Sequence, residues 1–295
     1  MLRLFAKKKG SGSYADSPVF SGGRASVKLL DQIGDDKGML IYSVERDDGG
    51  IQIREDGRYR WMHFGSGSIQ SAMDKENPEL LVLEYMRRMF SFLIFKDNAE
   101  DLLLLGLGGG AMLRFINKEL PQSNVTAIDI DADVIEVAEK QFGIPHNKKN
   151  TIKQSDALFY LECAAEKKFD VIFVDLFSGD TVPEEIYSEE FIENAANILH
   201  DNGMAIINIL PVDVETFSVL IKRVRVEFNC RVLCLPVPEH DNVIIITFKE
   251  EVRFSAEYLR SMAVLLEERY HLQFSRYLTD IFSYNRNSSV INYTE

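Results

Sequence analysis

Short apolar runs alternate with amphipathic stretches through the middle of the chain. The apolar runs predict strands at residues 101–106, 124–129, 150–154, 169–175 and 202–209, and the amphipathic stretches predict helices that begin near residues 109, 132, 156 and 187. Strands that alternate with helices along a chain assemble into a parallel sheet covered on both faces. We therefore predict an α/β fold with a doubly wound, Rossmann-like sheet.

Two further apolar runs, residues 231–237 and 242–248, follow a helix predicted near residues 214–228. The residues between them, from Pro238 to Asp241, are too few for the crossover that parallel neighbours need. These two strands must pair antiparallel. The sheet is accordingly predicted to be mostly parallel with an antiparallel hairpin at its edge, and a helical region at residues 255–283 is expected to pack outside it.

The pattern before residue 100 is different. Residues 1–25 are rich in Gly, Ser and Lys and are predicted to be a flexible tail. Residues 26–75 contain short β-type runs separated by Asp- and Gly-rich turns, which predicts a small N-terminal antiparallel β domain. Pro78 is expected to open a helix that runs to about Phe95. Residues 76–295 then form the predicted nucleotide-binding α/β domain.

Net charge and cysteine content narrow the possible functions. The formal net charge is −13 with a sequence pI near 5.0, so the overall field repels nucleic acid. Cys163, Cys230 and Cys234 show no metal-ligand spacing, and the five histidines are scattered singly. We expect reduced cysteines and no metal site.

No stretch of the sequence has the apolar length of a signal peptide or of a membrane helix. The first ten residues end in three lysines, and the most apolar long stretch, near residues 80–95, is interrupted by Glu84, Arg87 and Arg88. These features predict a cytoplasmic protein without a membrane partner.

The strongest chemical signal is a glycine cluster at the end of the strand predicted at residues 101–106. Gly106, Gly108, Gly109 and Gly110 lead directly into a helix, so the backbone can turn sharply and present free N–H groups to a ligand. No Lys-Ser or Lys-Thr pair follows, which excludes a P-loop. The cluster indicates a nucleotide cofactor, although a purely structural turn has the same composition.

Acidic residues end the next two strands. Asp129 lies about twenty residues after the glycines, where such folds hydrogen-bond a ribose diol. Asp131 is positioned to cap the following helix. Asp156, at the start of another helix, can serve as a cap, as an acceptor for an adenine amino group, or as both.

Asp175 ends the fourth strand at the carboxyl edge of the sheet, where open α/β sheets bind ligands. It is the acid best placed for catalysis. Phe177 and Asp180 follow in the next loop, as a possible wall for an apolar or cationic group and a possible second acid. Solvated loop acids are common, so a surface role for Asp180 remains open.

From about residue 69 to residue 210, the chain resembles the spermidine synthase (polyamine aminopropyltransferase) family and its spermidine synthase-like relatives of methyltransferase fold. The similarity is carried by Ile69-Gln70, the Gly108–Gly110 loop, residues 127–131, residues 155–157 and residues 169–175.

The resemblance implies a transferase that uses S-adenosylmethionine or decarboxylated S-adenosylmethionine, with no metal. The glycines and Asp129 would hold the nucleoside, Asp156 would meet the adenine, and Asp175 would serve the reacting amine. By the same resemblance, Gln70, Ile130 and Ala157 belong to the cofactor site. A small-molecule substrate such as a polyamine and a homodimer are also expected.

Three departures from the family pattern bear on specificity. Members that make spermidine usually carry an acid directly after the glycine triplet and another three residues after the catalytic one, where this chain has Ala111 and Ser178. The Tyr-His-Glu type cluster expected after Gln70 is absent. Loss of an acid removes repulsion toward a carboxylate, which suggests that the pocket accepts ordinary S-adenosylmethionine and transfers a methyl group.

Two other functions remain compatible with the sequence. Gly106, Gly108 and Ala111 with Asp129 downstream also fit the fingerprint of an NAD-dependent oxidoreductase. A catalytically silent nucleotide-binding protein would equally retain the glycines and Asp129 while losing substrate carboxylates.

Overall fold

A computed structural model describes residues 38–46, 50–64, 69–164, 166–177 and 182–293. Its first unit is a four-stranded antiparallel sheet in the order β1-β2-β3-β4. The strands are β1 (Met39–Val44), β2 (Ile51–Glu55), β3 (Tyr59–His63) and β4 (Ser71–Asp74). The small antiparallel sheet predicted from the sequence is therefore present, whereas the predicted tail lies outside the described residues. The exact domain boundaries stay a prediction.

The predicted helix from Pro78 to Phe95 is wrong in its first part. Helix α1 spans Glu84–Met89 and continues as a 3₁₀ turn over Phe90–Ile94. The preceding residues form turns because the buried Asp74 carboxylate accepts hydrogen bonds from the N–H groups of Glu76 and Asn77. A side chain that binds nearby backbone N–H groups competes with helix formation.

The main sheet has seven strands in the order β10-β11-β9-β8-β5-β6-β7. Its strands are β5 (Asp101–Leu105), β6 (Asn124–Asp129), β7 (Asn150–Gln154), β8 (Phe169–Val174), β9 (Leu199–Ile209), β10 (Val232–Pro236) and β11 (Val243–Phe248). Pairing is parallel from β7 through β9, whereas β11 is antiparallel to both of its neighbours. The predicted α/β fold with an antiparallel hairpin is confirmed, and the edge strand of that hairpin is β10.

Helices cover both faces of this sheet because its central strands are apolar on both sides. Leu102 and Leu104 face one core, Leu103 and Leu105 face the other, and all four are at most 1% exposed. The remaining helices are α2 (Ala111–Glu119), α3 (Ala132–Lys140), α4 (Ala157–Cys163), α5 (Glu189–Asn197), α6 (Val214–Glu227), α7 (Ala256–Tyr270) and α8 (Phe274–Tyr284). A short parallel pair, β12 (Phe254–Ser255) and β13 (Ile291–Asn292), lies outside the main sheet.

The small sheet is packed onto the main domain near the predicted site. Ile51, Ile53 and Met62 form one buried cluster with Val134 and Val137 of α3. Ser71, at the start of β4, lies against the glycine loop, since a Cβ on Gly109 would come within 2.5 Å of its Oγ. The small sheet therefore covers one side of the carboxyl edge of the main sheet.

Candidate active site

The glycine loop after β5 has a backbone that only glycine adopts easily. Gly106, Gly108 and Gly110 have φ values of +96°, +52° and +69°. A Cβ on Gly106 would lie 2.2 Å from the carbonyl oxygen of Asp175, and one on Gly110 would lie 2.1 Å from Ile144. At Gly108, by contrast, a Cβ would meet no atom within 4 Å. The loop therefore packs tightly at its ends and leaves its backbone open at Gly108.

The Asp129 carboxylate closes this loop from the end of β6. Its Oδ2 accepts hydrogen bonds from the N–H groups of Leu107, at 3.0 Å, and Gly108, at 3.4 Å, and its Oδ1 accepts one from Asp131 N–H at 3.0 Å. Burial raises the pKa of Asp129, and these three bonds oppose that rise. A carboxylate offers about four acceptor positions, so the bonds to the loop are compatible with a further bond to a ribose hydroxyl.

Asp131 has the predicted role of helix cap. Its Oδ1 accepts from the N–H groups of Asp133 and Val134 at the start of α3. Arg46, which follows β1, also forms a two-point ion pair with Asp131 at 2.5 and 2.7 Å and contacts Asp133. This pairing lowers the pKa of Asp131. The small sheet is thereby joined electrostatically to the helix that follows Asp129.

The end of β7 lies beside the end of β6. Ser155 N–H donates to the carbonyl of Asp129 at 3.0 Å, and the Gln154 amide donates to the carbonyl of Ile130 at 3.3 Å. Asp156 is exposed and caps α4 through Oδ1, which accepts from Phe159 N–H at 2.8 Å. The cap is therefore observed, while the adenine role stays a prediction.

Side chains near these strand ends differ in exposure. Ile130 is 66% exposed, so it is an apolar group available to a flat ring, whereas Ala157 is buried. Gln70 is half-buried and donates its N–H to the carbonyl of Met62, directly before Ser71 and its contact with Gly109. The structure thus brings the four glycines, Gln70 and the residues that end β6 and β7 to one region of the sheet edge.

The Asp175 carboxylate lies immediately after β8, on the other side of Gly106. Asn208 Nδ2 donates to its Oδ1 at 2.8 Å, and the Tyr85 hydroxyl donates to its Oδ2 at 3.2 Å. Burial raises the pKa of Asp175 to about 6, although both hydrogen bonds favour the ionised form. Near neutral pH this group is a carboxylate that can accept a proton, which is the property of a general base.

Three residues of this site were missed by the sequence reasoning: Tyr85, Asn208 and Asn242. Tyr85, on α1, has a pKa held well above its ordinary value by burial and by Asp175, so it remains a donor. Asn208 is fully buried in β9, and Asn242 donates to it at 3.1 Å from the residue before β11. A lone asparagine in the apolar run of residues 204–209 was the available signal.

The loop after Asp175 is described only in part. Phe177 is half-buried and packs against the core on the side of α4, α5 and α6. Asp180 and Ser178 lie outside the described residues. The possible substrate roles of Phe177 and Asp180 therefore stay predictions.

Ala111 lies directly after the glycine loop. Ala111 is the first residue of α2 and is 2% exposed, so its side chain packs in the core and does not face an open pocket. Residues 106–111 carry no ionisable side chain at all. The glycine loop therefore carries no carboxylate, and its open side is the backbone of Gly108.

Among the described residues, no group of three or more His, Cys, Asp or Glu side chains has an arrangement that could hold a metal ion. In the same part of the chain, no helix has both the length and the apolar character needed to cross a membrane.

Comparison with known proteins identifies the family. The spermine/spermidine synthase domain matches residues 84–258. The polyamine aminopropyltransferase of Chromobacterium violaceum is 33% identical over 241 residues, which cover 81% of this chain and 92% of that protein.

Two solved structures share the fold. A probable spermidine synthase from Corynebacterium glutamicum aligns with a TM-score of 0.64 at 22% identity, covering 77% of this chain and 88% of that one. Human methyltransferase-like protein 13 in complex with SAH aligns with a TM-score of 0.60 at 23% identity, covering 64% and 92%. The predicted resemblance, the fold and the assignment as a transferase are confirmed. The chain belongs to the spermine/spermidine synthase family.

Proposed function

We propose that this protein transfers an aminopropyl or methyl group from an S-adenosyl sulfonium donor to an amine, with Asp175 as the group that receives the amine's proton. The single observation that carries the proposal is the Asp175 carboxylate. It is held between Tyr85 and Asn208, next to Gly106, with a pKa raised to about 6. A base with a pKa just below neutral pH is ionised at work and still accepts a proton.

The transfer needs only one proton acceptor. The amine lone pair forms a bond to a carbon next to the sulfonium sulfur, the carbon–sulfur bond breaks, and its electrons neutralise the sulfur. The nitrogen becomes positively charged and loses a proton to Asp175. A carboxylate at this position also favours the positive nitrogen electrostatically and helps to keep the incoming amine aligned.

The donor would lie along the glycine loop. We assign its nucleoside to Gly106, Gly108, Gly109, Gly110, Asp129, Ile130, Asp156, Ala157 and Gln70. The open backbone at Gly108 and the exposed face of Ile130 support this placement. Because residues 106–111 present no carboxylate, ordinary S-adenosylmethionine would meet no repulsion there, and we propose that it is accepted.

The acceptor would approach Asp175 past Phe177, with Asp180 as a possible second acid. We propose a small amine, of which a polyamine is the example suggested by the relative from Chromobacterium violaceum. A cytoplasmic location and a homodimer are part of the same proposal and can be checked by fractionation and sedimentation. The net charge of −13 supports a cationic substrate over a nucleic acid.

The proposal is tested first by donor binding. Calorimetry and thermal shift with S-adenosylmethionine, decarboxylated S-adenosylmethionine and NAD compare the candidate cofactors, because a ligand that binds only the folded state raises its stability. We expect both adenosyl compounds to stabilise the protein. A clear preference for the decarboxylated form would refute the proposal that ordinary S-adenosylmethionine is accepted. Stabilisation by NAD alone would refute the proposed transfer from an adenosyl donor.

The second test is the Asp175→Asn variant with a matched control. Transfer to putrescine, followed by mass spectrometry of the product, should fall about 10²–10⁴-fold in kcat while donor affinity stays within about threefold. Asp170→Asn changes the same residue type at the opposite end of β8, where Asp170 accepts from the N–H groups of Glu100 and Asp101. That control should keep its turnover. Equal turnover of Asp175→Asn and wild type would refute the role of Asp175.

A further inference from the structure

The antiparallel strand of the main sheet delivers its first residue to the active-site edge. Parallel strands β5 to β9 all end there, whereas β11 begins there because it runs in the opposite direction. Asn242 immediately precedes β11, and its carbonyl accepts from Val237 N–H at 2.9 Å across the hairpin turn. Asn242 is therefore fixed beside the end of β9, where Asn208 pairs with Ile244.

A chain of amide hydrogen bonds runs from this turn to the carboxylate. Asn242 Nδ2 donates to Asn208 Oδ1 at 3.1 Å, and Asn208 Nδ2 donates to Asp175 Oδ1 at 2.8 Å. A primary amide is nearly symmetric in shape, so only its partners determine which end presents oxygen and which presents N–H groups. The donor from Asn242 requires the Asn208 oxygen to point away from Asp175.

We propose that Asn242 and Asn208 are positioning residues: Asn242 fixes the orientation of the Asn208 amide so that an N–H group, and not a carbonyl oxygen, faces the Asp175 carboxylate. If the Asn208 amide turned over, its oxygen would face the carboxylate and oppose ionisation. The catalytic consequence rests on the proposed function, whereas the effect on Asp175 ionisation does not.

The titratable and charged groups nearest the chain of bonds come from α1 and from the hairpin turn. On α1, Tyr85 is a neutral donor to Asp175, and the buried Glu84 is paired with Arg88 at 3.1 Å. The hairpin turn contributes Glu239, His240 and Asp241, and burial lowers the pKa of His240. Asn242 and Asn208 are neutral, so replacing Asn242 changes the orientation of the Asn208 amide without changing a formal charge.

The test measures the pKa of Asp175 directly. Aspartate labelled with ¹³C at the carboxyl group is followed by NMR titration, and the Asp175 resonance is the one missing from Asp175→Asn. Asn208→Leu should raise the pKa of Asp175 by about one unit, because the carboxylate loses a donor, and Asn242→Leu should raise it by roughly half as much. Asn242→Ala gives the same measurement with no added volume, should leucine not fit.

The double variant distinguishes positioning from an independent effect. If Asn242 acts through Asn208, the pKa of Asp175 in Asn208→Leu/Asn242→Leu equals that in Asn208→Leu alone. Additive shifts, or no shift in Asn242→Leu and Asn242→Ala, would overturn the proposal. Asn117→Leu is the matched control, because Asn117 donates to Asn150 in an amide pair at the opposite edge of the sheet. It should leave the resonance unchanged.

The titration needs no turnover, so the two proposals can fail separately. If the Asn242 variants shift the pKa of Asp175 but the protein binds no adenosyl donor, the proposed transfer is refuted and the positioning role of Asn242 and Asn208 is supported. If transfer is normal and the pKa of Asp175 is unchanged in both Asn242 variants, only the positioning role of Asn242 is refuted. For an active enzyme, the acid limb of the kcat profile should move upward with the NMR value in Asn242→Leu.

Discussion

The two sides of the candidate site are built in different ways. The glycine side, defined as residues 106–110 with Asp129 and Asp156, is organised by backbone N–H groups that donate to carboxylates. The Asp175 side, defined as Asp175, Tyr85, Asn208 and Asn242, is organised by side chains that come from four distant segments of the chain. The two sides meet at Gly106, which lies against the carbonyl of Asp175.

Because of this difference, the two sides depend on side-chain identity to different degrees. Backbone donors are present whatever the side chains are, so the glycine side depends mainly on a chain path that glycine permits. The ionisation of Asp175 depends on two particular donors, and replacing either one changes the charge available for chemistry. We infer that donor binding is the more robust property of this site and that proton acceptance is the more adjustable one.

The largest expected effect comes from a substitution at Gly106, where the two sides are in contact. Gly106→Ala puts a Cβ within 2.2 Å of the Asp175 carbonyl oxygen at a φ of +96°, so backbone must move. We expect a loss of about 3 kcal/mol or more in the free energy of unfolding, from positive-φ strain and the displaced strand end. Urea unfolding measures it.

Two other glycines calibrate that result. Gly108→Ala has φ of +52° but no atom within 4 Å, so it should lose only about 1 kcal/mol while weakening adenosyl binding. Gly57→Ala, in an open turn of the small sheet, should change stability by no more than about 0.5 kcal/mol. Comparable stability of Gly106→Ala and Gly57→Ala would show that the two sides are not in contact at Gly106.

A smaller effect is expected from the buried charge of Asp175. Because burial raises its pKa from 3.8 to about 6, the native state pays a penalty for ionisation that is complete above pH 6 and disappears as the pH falls toward 4. Asp175→Asn should therefore be more stable than wild type by roughly 1–3 kcal/mol at pH 7.5, less any cost of rearranging Asn208.

Chemical unfolding of both proteins across pH 4 to 8 checks the sign. The advantage of Asp175→Asn should shrink steadily below pH 6. A constant difference in stability across that range would mean that the pKa of Asp175 lies near its ordinary value. The Asp175 side would then have no raised carboxylate pKa to distinguish it from the glycine side.

The glycine side could be predicted from sequence because its signals are local. The apolar run of residues 124–129 became β6 with the same bounds, and the cap at Asp131 was read from its place before α3. Strand ends in a parallel sheet share one edge, so the positions of Asp129, Asp156 and Asp175 followed from the strands alone. The structure added the helix cap that Asp156 forms, while its adenine role stays a prediction.

The Asp175 side could not be predicted in the same way. Tyr85 is 90 residues from Asp175 and Asn208 is 33 residues away, and their pairing depends on the packing of α1 and on strand order. The start of α1 was itself misplaced, because the Asp74 side chain organises a turn that periodicity does not report. Long-range side-chain pairs carry no short-range sequence signal.

The smallest expected effect tests whether the glycine side is self-sufficient. Arg46→Met removes the partner of Asp131 while leaving its cap of α3 in place. Both side chains are partly exposed, so the loss in stability should be about 0.5–1 kcal/mol, reduced by salt. Arg46 holds the pKa of Asp131 below its ordinary value, so this contribution exists above pH 4 and is lost as Asp131 becomes protonated.

Donor binding is the decisive measurement on Arg46→Met. Asp129 is held by the N–H groups of Leu107, Gly108 and Asp131, none of which needs Arg46, so affinity for S-adenosylmethionine should change less than threefold. Lys140→Met, which removes a pair with Glu136 on the exposed face of α3, is the matched control for losing one cation from this region. A tenfold loss of affinity in Arg46→Met but not in Lys140→Met would mean that the small sheet positions the Asp129 loop through Asp131. Backbone geometry alone would then be insufficient to organise the glycine side.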